Sequence, residues 1–208
     1  MTLSTYTGLR DAIGTTLGRS DLTSSNDVTA DFITLAEAEI NRLLKIRRMI
    51  GRASATINQE YSTVPSDFAA PRSMKITSVT PIGTLEWTSP EAMADDKALW
   101  NTSTGQPTKY TVVGNEFEYD PVPGGDYTVA LTYYKRITPL ADGVNWLLTA
   151  WPDIYLFGAC KQAAAYLDDG QTEDRFEGKF QKAIAQAQAA DIHESTGARL
   201  SVGQPFAP

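Results

Sequence analysis

The periodicity of the apolar residues changes twice along this chain, from helical to period two and back to helical. This constrains the fold more than any count does. Leu9, Ile13 and Leu17 recur in steps of four, predicting a short amphipathic helix over 6–17 that Gly8, Gly14 and Gly18 weaken. Asn26 and Asp27 can cap a second helix reaching about residue 45, with an apolar stripe of Phe32, Leu35, Ala36, Ile40, Leu43 and Leu44. After Met49 the spacing turns to period two, and Pro65, Pro71 and Pro81 argue against long central strands. Ser89, Pro90 and Glu91 open a short helix within this section. Residues 110–113 and 116–119 flank Gly114 and Asn115 as a hairpin, and 127–135 is the strongest strand. From Asn145 helical spacing returns. Pro152 starts one helix, and Thr172 starts a last one with a stripe of Phe176, Phe180, Ala183, Ile184 and Ala187.

This order predicts an α+β fold in which N- and C-terminal helices form a bundle around an inserted small antiparallel β domain. The expected divisions are a discontinuous helical domain of 1–49 and 144–196, a β domain of 50–143, and an extended C-terminal arm of 197–208. The arm carries two glycines and two prolines.

Composition removes several function classes. A chain of 208 residues can bury a core without a staple, and its one cysteine, Cys160, permits no intrachain disulfide and suits a reducing compartment. A lone histidine, His193, excludes His-rich zinc sites, and no phosphate-binding glycine loop or nucleophile elbow is present. We therefore expect no cofactor, no metal and no catalytic residues. The longest run without a charge, 98–108, is mostly polar, so no membrane span is expected.

Two charge features bear on partners. Arg42, Lys45, Arg47, Arg48 and Arg52 place five cations in eleven residues without an acid. They can face phosphates or an acidic rim on a partner, or simply sit at the negative end of the second helix. Residues 76–208 hold 9 bases against 17 acids, which suits either a channel wall that does not hold DNA or plain solubility. Glu116 and Glu118 share a strand face and can be read as an acid/base pair of the glycosidase kind, although solvated faces explain such acids as well. Cys160 reads as a small buried hydrophobe.

The C-terminal half then supplies an ordered series: Tyr133, Tyr134, Lys135, Arg136 and Ile137; Asn145, Trp146, Leu147 and Leu148; Pro152, Asp153, Ile154, Tyr155, Leu156, Phe157 and Gly158; Ala163, Ala164, Tyr166, Leu167 and Asp168. With Phe32, Ile33, Leu35, Ala36, Glu37, Ala38, Ile40, Asn41, Arg42, Arg48 and Met49, it resembles the head-to-tail adaptor proteins of tailed bacteriophages, the tail tubular protein A group. The resemblance implies a non-enzymatic virion subunit at the head–tail interface, assembled in the host cytoplasm. It implies a homo-oligomeric ring, a dodecamer following the portal's symmetry. The portal protein lies above, a tail or nozzle protein below, and packaged DNA passes through without specific binding. The arm is the element that reaches the portal, which makes Arg199, Leu200, Val202 and Phe206 expected partner-binding residues; the basic cluster adds Arg47, Arg48 and Arg52 on the ground of their charge. Another ring-forming subunit, a stopper or tail-completion protein, is the alternative, and a carboxylate-dependent tail hydrolase a more distant one.

Overall fold

The computed structural model describes residues 3–100 and 104–196. The elements run α1 (Tyr6–Leu17), α2 (Val28–Leu43), β1 (Ile50–Ile57), β2 (Tyr61–Thr63), β3 (Phe68–Ile76), β4 (Gly83–Trp87) and α3 (Pro90–Trp100). They continue with β5 (Thr104–Gly105), β6 (Lys109–Val113), β7 (Glu116–Asp120), β8 (Val122–Pro123), β9 (Tyr127–Lys135), α4 (Trp146–Ala150), α5 (Pro152–Tyr166) and α6 (Gly170–Thr196). The chain divides into two compact units, Met1–Arg47 with Ile137–Pro208, and Arg48–Arg136.

In the helical unit α5 packs against α1, α2, α4 and α6. After Ile154 and Tyr155 its buried residues are small, Gly158, Ala159, Cys160, Ala163 and Ala164, which lets neighbouring helices approach closely there. A Cβ added at Gly158 would lie 3.1 Å from both the Ala36 methyl and the Phe180 ring. The glycines that lower the helix propensity of α1 have structural uses. Gly18 closes the helix in the left-handed region at φ 68°, and the Leu22 carbonyl sits where a Gly14 side chain would be. The stripe of α6 is buried as its spacing requires. On α2 the stripe is narrower than the sequence implies: Phe32, Ala36 and Ile40 are buried, while Leu35 and Leu43 are 52% and 37% exposed.

The β unit requires a correction. It is not a small antiparallel insert in a helical bundle but a large, nearly closed mixed sheet of seven strands in the order β1-β9-β3-β4-β6-β7-β2. Two features hid this. First, β4 and β6 pair in parallel, Glu86 with Lys109 and Trp87 with Tyr110, and α3 lies in the crossover such a pair needs. Second, β3 is nine residues long and sits between β9 and β4, despite Pro71. The proline falls where the β3–β9 register shifts between Pro71 and Ser73, a break in the ladder that relieves the missing donor. Ile57, Met74, Ile76, Leu85, Tyr110, Phe117, Tyr119, Val129 and Leu131 fill the interior. β5 and β8 form a separate two-stranded parallel ribbon.

Candidate partner-binding surfaces

Several charged groups hold elements together, among them the candidates Arg47 and Glu118. Arg47 opens a 3-10 turn, donates its backbone N–H and Nε to the Asp191 carboxylate at 3.1 and 3.0 Å, and reaches Glu194 through Nη2 at 3.1 Å. Arg48 and Arg52 belong to the other unit and are exposed, Arg52 on β1. Arg199, Leu200, Val202 and Phe206 lie outside the described residues.

The carboxylates are engaged in the same way. Glu118 and Glu60 both accept from the Lys97 ammonium of α3, and Asp96 accepts from Lys109. Burial alone lowers the Lys97 pKa, and the two carboxylates more than reverse it, so the lysine stays charged. Glu118 is thus held by a cation, while Glu116, two residues earlier on β7, is exposed. Asp169 accepts the Thr172 N–H at the start of α6 at 3.1 Å, and this bonding from Thr172 holds its carboxyl below the usual range. Cys160 is fully buried, and desolvation pushes its thiol up to about 12. Among the described residues, no group of three or more His, Cys, Asp and Glu is placed to hold a metal ion.

Sequence reasoning missed the polar residues that fix the segment after β9. Asn41 Oδ1 accepts the Ile137 N–H at 2.9 Å, and Glu37 Oε1, one helical turn earlier, accepts the Leu140 N–H at 2.8 Å. Asn145 caps α4 through the Leu147 and Leu148 N–H groups and donates to the Tyr155 hydroxyl at 2.7 Å. Glu37 and Asn41 stand four apart on one helix face, a visible signal, but nothing local names the backbone they meet 96 to 103 residues away. Lys161 was equally hidden. It joins Glu39 at 2.6 Å and Glu177 at 2.7 Å, linking α5 to both α2 and α6.

The β unit offers a different kind of surface. Among the described residues, β1 pairs only with β9 and β2 only with β7, so these two strands are the edges of the seven-stranded sheet and do not pair with each other. Between them opens a cavity of about 240 Å³. Its rim is Ala53, Ala55, Ser62 and Val64, and its floor includes Met74, Phe117, Tyr119, Val129 and Leu131.

Among the described residues, charged side chains thus tie elements together, beside a sheet that leaves two edges unpaired. The family is specific: the model of the SU10 adaptor protein family matches residues 4–203, and the chain belongs to that family, a structural family of phage adaptors. It is a virion component, consistent with a head-to-tail adaptor. A comparison with curated proteins gives no match. No helix among the described residues is long and apolar enough to cross a membrane.

Proposed function

We propose that the protein is the ring subunit that joins the portal to the tail, extends the DNA channel and presents a surface to the tail protein below. The observation that carries this reading is the family match across residues 4–203. Pairing two different faces of each copy closes such a ring when the rotation between copies permits. The arm, 197–208, reaches the portal, with Phe206 as an apolar anchor, and the exposed Arg48 and Arg52 supply a charged contact to an acidic rim. DNA passes without tight binding, because a net charge of −7 opposes it.

Mass photometry of the protein with and without the portal protein tests the reading. The expected result is a monomer or weak oligomer alone, and a ring of the portal's symmetry when the portal templates it. No association with the portal, or stable rings of unrelated symmetry without it, would contradict the proposal.

A further inference from the structure

The free edge of β1 lacks the devices by which sheets protect themselves. Over eight residues it keeps unbroken register with β9, without a bulge or a proline, and carries one charge, Arg52. Such an edge is a template for another strand. Its inward row is small: Gly51, whose missing Cβ would lie 3.0 Å from the Tyr133 ring, then Ala53 and Ala55, before Ile57 fills the interior. Ala55 is exposed although it shares the face of the buried Ile57. The cavity of about 240 Å³ lies beside these alanines. An apolar cavity of about 150 Å³ is large enough to take benzene, so this one has room for aliphatic side chains.

The chain itself contains a segment with the missing features. Beyond the end of α6, Ala198, Leu200 and Val202 alternate with Arg199 and Ser201, and Gly197 and Gly203 flank the five residues. Period-two spacing bounded by glycines is strand patterning. Its larger side chains fall on one face, where the inward row of β1 is small, and its length matches the stretch from Gly51 to Ala55.

We infer that residues 198–202 of a second copy add to the free edge of β1 as an eighth strand, with Leu200 and Val202 in the cavity. Backbone hydrogen bonds give this mode its affinity, and side-chain pockets give it specificity. The inference rests on the ring reading and deepens it: every copy offers a donor strand and an acceptor edge, so each clasps its neighbour. Phe206, beyond Pro205, stays available for the portal.

Two single-cysteine variants of the full chain, Ala55→Cys and Val202→Cys, test it, the native Cys160 being fully buried. The two are mixed, assembled with the portal protein and oxidised, while the native mass is followed in parallel. The expected product is a disulfide-linked dimer from the mixture, absent from either variant alone, and a ladder of linked species from the double variant. Rings of the expected mass without a cross-link would overturn the strand exchange and leave the ring reading standing. A double variant that links only within one chain would place the segment in its own seam, and failure to form any ring would remove the ring reading and this inference with it. As a check that cysteine itself does not disturb the seam, Val202→Asp, with no cysteine added, should lower the ring yield at least tenfold at limiting protein concentration; unchanged yield would also contradict the exchange.

Discussion

At position 158 of the helical unit, a side chain one carbon larger than glycine would press on Ala36 and Phe180 from 3.1 Å, whereas the inward row of β1 leaves about 240 Å³ unfilled. The helical unit also answers its buried charges from within: the Lys161 side chain is 14% exposed and Glu39 15% exposed, and each has the other. The β unit has an apolar interior of its own, yet among the described residues it leaves two strand edges without partners. The α5 crossing of the helical unit is closed to added side chains, and the β1 edge of the other unit is a place where contact adds hydrogen bonds and fills space. That difference predicts which substitutions act on folding and which on assembly.

The largest effect is expected at Gly158. Gly158→Leu forces α5 away from α2 and α6 and should cost about 3 kcal/mol, on the scale of core overpacking. For a chain of this size that lowers the melting temperature by about 6–12 °C, measured by calorimetry. A change of under a degree would show that the close helix crossing does not limit stability.

Lys161→Met comes next. It removes the shared cation from Glu39 and Glu177 and should cost about 2 kcal/mol near neutral pH, less than a fully buried pair because Glu177 is 39% exposed. The hydrogen bond from Lys161 holds Glu177 below its ordinary value of 4.5. Its contribution is therefore complete above that ordinary value and is lost as the pH falls through the lowered one. Burial lowers the pKa of Lys161, and Glu177 and Glu39 more than reverse this, so its contribution persists until the pH rises past its raised value. Urea titrations should show the gap between parent and variant shrinking on acidification. A gap independent of pH would mean that Lys161 acts through packing alone.

The mirror of Gly158→Leu is Ala55→Leu. Added to the seam, the same side chain should leave stability unchanged or raise it by about 0.5–1 kcal/mol, as cavity filling does. It should also weaken ring formation, because it occupies the space proposed for Leu200 or Val202. Equal damage from the two leucines would erase the contrast between the units. The smallest effect is expected for Arg47→Gln. Its side chain is 45% exposed, so losing Asp191 and Glu194 should cost no more than about 1 kcal/mol, and less at high salt.

Local patterns were legible in the sequence where local physics decides. The hairpin around Gly114, the capping of α3 by Ser89, the start of α5 at Pro152 and the buried stripe of α6 all lie where residue spacing and capping chemistry place them. The pairing of strands was not legible. Ile50 meets Tyr134 across 84 residues, and period two reveals a strand without naming its neighbour. The proline reading failed at β3 because Pro71 sits where the ladder is already irregular. The seam was invisible because Gly51, Ala53 and Ala55 are ordinary strand residues until a partner is shown to be missing. The basic cluster was visible, but not that Arg47 would answer Asp191 on a helix 144 residues later.

The most direct measurement is amide hydrogen exchange, comparing the free protein with the ring assembled on the portal. If the β unit is the incomplete one, amides of Ile50–Ile57 on the free side of the strand exchange fast in the free protein and become strongly protected on assembly, while the buried turns of α2 and α5 exchange at the same rate in both states. Unprotected β1 amides in a fully assembled ring, with new protection confined to the helical unit, would contradict the account.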